Sequence, residues 1–292
     1  MSTVSPLEQT PPIPAELREV TGPSALGGGP RRFFDLLWLM SATEFKRVYF
    51  GTVLGYLWSL IRPLMLFGVL LFVFTRVFKV GSDKVEHYPV MLLLGIVLFT
   101  FFQEATTNAV SSVVSQEGIV RKTQFPRLVI PLSTVVTSAL NFGVNLVIVF
   151  AFLFAFGVEP AWTWLLFPLA LVFLFAFTSG VSLALSVLFV RFRDIAIIWA
   201  VAAQVLFYAT PILYPVNFES DATYEHFFMI NPLAVIFEQV RVWVLTEPQA
   251  PTAVEAAGGW AGLIPAAVLF CAICAYGIWV FQRDAPRVAE EL

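Results

Sequence analysis

Charge is scarce in this sequence: Lys, Arg, Asp and Glu make up 13% of its 292 residues, against about a quarter in a soluble globular domain. Hydrophobic residues reach 59% and the mean hydropathy is positive, which excludes an ordinary soluble fold and leaves a membrane protein with several spans. A net charge of −3 suggests no surface for nucleic acid. Cysteine is nearly absent. Cys271 and Cys274 form a Cys-x-x-Cys inside an apolar stretch without the polar neighbours of a redox or metal centre, so they read as small packing residues. No Gly-x-x-x-x-Gly-Lys-[Ser/Thr] phosphate loop occurs, so ATP hydrolysis of the usual kind is not expected of this chain. His-Glu-x-x-His, Gly-x-Ser-x-Gly and acidic pairs at metal-ligand spacing are also missing from the spans, which disfavours an intramembrane enzyme.

What is there begins with residues 1–30, rich in Pro, Gly, Ser and Glu and read as a disordered cytoplasmic tail. Residues 31–292 form the transmembrane domain. Its first stretch, Arg31–Ile61, carries Asp35, Glu44, Lys46 and Arg47, too many charges for a span when each costs about 2.5–3.5 kcal/mol at mid-membrane. Phe45, Val48, Tyr49, Thr52 and Val53 recur at helical spacing, the pattern of an interfacial amphipathic helix; a cytoplasmic bundle helix is the alternative.

Six spans are predicted: Pro63–Val80, Tyr88–Val110, Leu128–Gly157, Trp162–Val190, Ile195–Leu213 and Ala261–Phe281. Pro63 suits a helix start, with a turn borrowed from Tyr56–Ile61 upstream as the alternative, and Pro286 is expected to stop the last helix. The second span carries Gln103, Glu104, Thr106, Thr107 and Asn108 in its later half, and the acid either faces protein or water, or marks an early exit of the helix. Asn141 and Asn145 share one face with Gly143 between them, which suits close helix packing or interhelical hydrogen bonding. Asp194 is placed to cap the fifth span.

Pro211 and Pro215 break the fifth span near the far surface, freeing backbone groups that need partners in protein or a wet cavity. Beyond the break, Asn231 is an N-cap with Pro232 at the first helical position. Leu233, Ile236, Phe237, Val240, Trp243 and Val244 then repeat at three- and four-residue steps, with Glu238, Gln239 and Arg241 opposite, so an amphipathic or re-entrant helix is predicted between spans 5 and 6. Twelve Lys and Arg lie in Arg31–Arg62, Gln116–Arg127, Arg191–Asp194 and the C-terminus, against Arg76, Lys79, Lys84 and Arg241 on the other side. The positive-inside rule puts the first set, and both termini, in the cytoplasm. A conduit with no engine and compact basic loops is what the membrane half of an ATP-driven machine would present.

Several motifs in order then resemble a known family. Glu44-Phe45-Lys46-Arg47, Gly51–Trp58 and Pro63, Phe125-Pro126-Arg127 with Pro131-Leu132-Ser133, Arg193-Asp194, Pro211–Pro215 and Asn231-Pro232-Leu233 resemble ABC-2 type permeases that export polysaccharides and polyol phosphates. The chain departs from them at Val48-Tyr49-Phe50, where relatives often carry a basic run. The resemblance implies an all-α homodimer in the cytoplasmic membrane above two ATPase subunits, which bind the ATP and Mg while this chain holds no cofactor. The cargo implied is a polyprenyl-diphosphate-linked glycan; a small molecule or drug is the alternative. An ion-coupled carrier using Glu104 is a reading from another class.

By the same resemblance, Gln116, Glu117, Gly118, Ile119, Val120, Arg121 and Lys122 form the main coupling helix, with Arg191, Arg193 and Asp194 a second contact. Pro211, Tyr214, Pro215, Asn231 and Pro232 belong to an outer gate. Phe99, Phe101, Phe102, Phe207 and Tyr208, with Glu104, are candidates to line the conduit, because aromatic faces pack on the C–H faces of sugars. Lys46, Arg47, Trp58 and Arg62 are candidates for the cytoplasmic entrance, where the two arginines suit either a diphosphate or lipid headgroups.

Overall fold

In the computed structural model, the described residues are 30–49, 55, 57–78, 87–118, 126–214, 226–245 and 251–291, and among them every regular element is helical. The predicted N-terminal tail, save Pro30, lies outside them, as do Thr52 and Val53. The helices are α1 (Pro30–Tyr49), α2 (Leu57–Phe72, continued as a π-helical turn over Val73–Val77), α3 (Tyr88–Ser115), α4 (Val129–Ala155), α5 (Phe167–Arg191), α6 (Ile195–Ala209), α7 (Pro232–Leu245), α8 (Ala253–Ala256) and α9 (Ile264–Glu291). Short 3-10 turns at Trp162–Leu166 and Trp260–Leu263 lead into α5 and α9.

Among the described residues, five segments are long and apolar enough to cross a membrane: Leu57–Val77, Tyr88–Ser115, Val129–Ala155, Trp162–Arg191 and Trp260–Asp284. The sixth expected span, α6, has 15 residues and is about 22 Å long, short of a hydrocarbon core of about 30 Å. Helix α3 is the axis of the bundle, packing against α2, α4, α5, α6 and α7. Leu92, Leu93, Ile96 and Phe102 on it are fully buried.

Several boundaries differ from those expected. Helix α2 starts at Leu57 and takes Pro63 into its body. Pro63 withholds one N–H from the Ser59 carbonyl, and Ser59 lines a polar cleft. Helix α3 runs on past Val110 because its serines satisfy themselves: Ser112 Oγ donates to the Ala109 carbonyl at 2.8 Å and Ser115 Oγ to that of Ser112 at 2.9 Å. Helix α9 continues through Pro286 to Glu291. The proline costs one bond, to the Gln282 carbonyl, at a polar end where water serves that oxygen.

Two seams of small residues hold the outer helices. Helix α1 docks on α4 through Ser41, which is fully buried and donates to the carbonyls of Leu37 at 2.7 Å and Ser133 at 3.2 Å, while Thr137 donates to the Ser41 carbonyl at 3.3 Å. Its Phe34 and Trp38 point outward. Helices α5 and α9 meet at Gly180, Cys274 and Gly277, where a Cβ on Gly277 would lie 2.1 Å from the Gly180 carbonyl oxygen. Cys274 thus serves as a small residue at a close crossing. Gly143, by contrast, has no heavy atom within 4 Å of where its Cβ would sit. Gly277→Ala is therefore expected to force α5 and α9 apart and cost about 1–3 kcal/mol, while Gly143→Ala leaves stability unchanged or slightly raised; thermal unfolding of both variants in detergent checks the contrast.

Candidate functional site: a polar cleft and a clamped helix break

One face of α3 departs from the apolar character of the bundle. Thr100, Glu104, Thr107, Asn108, Ser111 and Ser115 recur at steps of three and four, so they share a stripe about 22 Å long. The stripe forms a wall of a cleft of about 1250 Å³ between α1, α2, α3 and α4. Leu39, Thr43, Glu44 and Arg47 come from α1, Trp58, Ser59, Arg62 and Pro63 from α2, and Ser133, Thr137, Asn141 and Asn145 from α4.

Glu104 is half-buried in this cleft. Asn141 Nδ2 donates to its Oε1 at 2.6 Å, and Asn145 Nδ2 donates to the Asn141 carbonyl at 3.0 Å. The i, i+4 asparagine pair therefore acts by interhelical hydrogen bonding, with Gly143 in open space. Arg62 lies close enough to interact electrostatically with Glu104 but makes no ion pair with it. Arg47 pairs with Glu44 at 2.7 Å. Of the entrance candidates, Arg47, Trp58 and Arg62 line the cleft, whereas Lys46 is exposed outside its lining.

The aromatic conduit candidates lie elsewhere. Phe99 packs on Phe102 and Phe207, Phe101 against Phe142 and Phe175, and Phe102 against Phe177 and Trp199. Phe99, Phe101 and Phe102 are at most 2% exposed, so the structure assigns them to the subunit's core and leaves them no ring face for a passage within it. Phe207 is also buried, Tyr208 is exposed, and Glu104 alone of the six opens on the cleft.

At the opposite end of α3 the proline break is clamped. Arg241 Nη2 donates to the Pro211 carbonyl at 2.7 Å, and Arg241 Nη1 lies 2.9 Å from Glu238 Oε2, with both side chains buried. The Tyr88 hydroxyl donates to the Leu213 carbonyl at 2.9 Å. Asn231 Oδ1 accepts from the Leu233 N–H at 3.0 Å, the capping role expected, and its amide donates to Thr210 Oγ1 at 3.0 Å. No residue of α7 is exposed: it sits among α3, α5 and α9, and the charges expected on its solvent face are paired inside. Thr163 and the Trp164 indole N–H tie its last turn to the α4–α5 link through the carbonyls of Trp243 and Val244. Tyr214 bonds the Tyr208 carbonyl at 3.2 Å, and burial pushes its phenol above the ordinary value. Pro232 is buried at the start of α7. Pro215 lies outside the described residues.

The described coupling candidates Gln116, Glu117, Gly118, Arg191, Arg193 and Asp194 lie at the end away from this clamp. Val113, Ile130, Leu183, Val187, Val280 and Phe281 form one cluster, so the end of α3, the start of α4, the last turns of α5 and the middle of α9 meet there. Gln116, Glu117 and exposed Gly118 follow α3 at this end, while Ile119, Val120, Arg121 and Lys122 lie outside the described residues. Arg191 lies 3.4 Å from Asp284 of α9, and the Arg193 guanidinium stacks over Phe189 at 5.1 Å. Asp194 precedes α6 without a side-chain cap, because its helical backbone lets its carbonyl accept from Ile197 and Ile198 instead. The described residues contain no cluster able to hold a metal ion.

Residues 35–245, which hold both the cleft and the clamp, match the family of ABC-2 type transporter membrane domains. This chain belongs to that family. Two O-antigen export system permease proteins, RfbA, of Klebsiella pneumoniae are each 36% identical to it over 205 residues, covering 69% of this chain and 76% of theirs. An O-antigen export system permease protein RfbA of Myxococcus xanthus is 27% identical over 223 residues, covering 76% and 84%. An ABC-2 permease is a transport subunit built of membrane helices, which accords with the missing phosphate loop and the five long apolar helices. Reasoning from the sequence marked Glu104, Thr107 and Asn108 as a polar stretch but did not extend it to Ser111 and Ser115 or find the facing walls on α1, α2 and α4; the signal for the extension was the run of Ser at helical spacing after Asn108.

The buried Arg241–Glu238 pair gives this ABC-2 domain a sharp test. Removing one partner leaves the other charge uncompensated. Arg241→Met is expected to cost about 3–5 kcal/mol of stability, and Glu238→Gln combined with Arg241→Met less than that; denaturant melts of the detergent-solubilised chain measure both.

Proposed function

We propose that this chain is the membrane subunit of an ATP-driven exporter that moves a polyprenyl-diphosphate-linked polysaccharide outward across the cytoplasmic membrane. The observation that carries the reading is the combination of a long polar cleft in an apolar bundle with a family domain whose relatives are named O-antigen export permeases. Two subunits form a homodimer on two ATPase chains, which bind ATP and Mg. In this reading α6 is a sixth, short span, and both termini and the Gln116–Arg127 island face the cytoplasm, as the excess of Lys and Arg there supports.

Gln116–Lys122 is the main surface on which the ATPase acts, with Arg191–Asp194 beside it; the meeting of these helix ends in one cluster supports a joint coupling face. The cleft opens at that same end of α3. Arg62 and Arg47 attract the diphosphate there, while α7 and the broken end of α6 form the outer gate. The ends of the pathway are thus joined by one rigid helix, α3.

The test is reconstitution with a partner ATPase. Gly118→Pro and Arg121→Glu are expected to lower ATPase turnover of the complex at least fivefold and to make lipid-linked polymer accumulate inside cells. Transport by the chain without any ATPase, or changed drug sensitivity with no polymer accumulating, is the result that overturns the assignment.

A further inference from the structure

The cleft separates its charges. On α1, the Arg47 guanidinium is engaged by Glu44 at 2.7 Å. On α2, Arg62 has neither an ion pair nor a hydrogen bond to a described residue, although it lines the cleft. Across from it on α3, Glu104 carries the opposite sign, and Asn141 accounts for one bond to a carboxylate that has about four acceptor sites. A diphosphate is therefore drawn to Arg62 and repelled from Glu104. The groups suited to Glu104 are neutral and rich in O–H donors.

The surroundings of Glu104 fit such a ligand. Thr107 and Asn108, exposed into the cleft one turn along α3, add hydroxyl and amide groups that both donate and accept. Trp58 is 52% exposed and borders the same space, a ring face on which the C–H side of a pyranose can lie. The cleft volume of about 1250 Å³ exceeds the roughly 300–1,000 Å³ of ordinary small-ligand pockets. Glu104 is also held still. Its Asn141 partner sits on α4, where Asn145 bonds the Asn141 carbonyl, so the carboxylate is oriented before anything arrives.

We infer that Glu104, positioned by Asn141, is a carbohydrate-reading residue of the cleft: it accepts hydroxyl hydrogens from the sugar next to the diphosphate and so sets which glycan this exporter takes. The inference rests on the lipid-linked substrate proposed above and adds to it a division of labour. Arg62 holds the anionic linker common to all such lipids, and Glu104 with Asn141 reads the part that differs. Discrimination follows from the cost of leaving the remaining acceptor positions of the half-buried Glu104 carboxylate without the hydroxyl donors they face.

The experiment uses the full chain in lipid nanodiscs and two kinds of probe: farnesyl diphosphate, and the same diphosphate bearing one N-acetylglucosamine, glucose or galactose. The unaltered chain is expected to bind at least one sugar-bearing probe about tenfold more tightly than the bare diphosphate, an increment in the range of one hydrogen bond to a charged group. Glu104→Gln removes most of that increment while bare-diphosphate affinity is kept or raised, since a repelling charge is lost. Retained affinity for the bare probe marks an intact cleft; should Glu104→Gln fail to fold, Asn141→Ser supplies the same comparison. Equal loss for both probes, or no increment with any sugar while the bare diphosphate still binds, overturns the inference and leaves the proposed export function standing. Binding of neither probe by the unaltered chain overturns the lipid-linked reading and this inference together.

Discussion

Inside a bilayer no water is at hand, so every polar group that a helix break, a hydroxyl or a carboxylate brings into the bundle must find its partner in the protein. Much of this fold answers that constraint. Pro211 stops α6, and the freed carbonyls at Pro211 and Leu213 are taken by Arg241 and by the Tyr88 hydroxyl. Because those donors sit on α7 and α3, satisfying the break also docks α7 and ties it to the central helix. The buried Glu238 that neutralises Arg241 follows from the same need. At the other end, Ser41 and Thr137 exchange bonds with backbone carbonyls and let α1 lie close on α4.

The exception to this economy is the cleft. Its stripe of Thr, Asn and Ser on α3 is only partly covered, and Glu104 has a single protein partner for its hydrogen bonds among the described residues. Helix α3 carries both features, the cleft on its later half and the Tyr88 contact at its start, and it ends at the charged island. One helix thus links the island to both features.

The strongest signals in the sequence were those set by covalent chemistry or by transfer from water. Few charges and long apolar runs announced membrane helices, and Asn231-Pro232 announced the start of α7. Helix ends judged from polarity were less well read. The second span was expected to end near Val110, yet the Ser112 and Ser115 hydroxyls bond back to the helix and α3 carries on. Pro63 and Pro286 looked like boundaries, yet each removes one hydrogen bond and the helix continues through both.

By itself, then, the sequence determined the membrane class, the helical content, the break at Pro211 and the absence of a phosphate loop, because these depend on each residue's own transfer energy and backbone freedom. Only the tertiary structure decided which way side chains face. Lipid is as apolar as a protein core, so hydrophobic periodicity cannot tell a buried ring from a lipid-facing or conduit-lining one; Phe99, Phe101 and Phe102 proved to be core. For the same reason Arg62, Glu104 and Asn141, on three different helices, read as isolated oddities until α2, α3 and α4 were packed around one cleft.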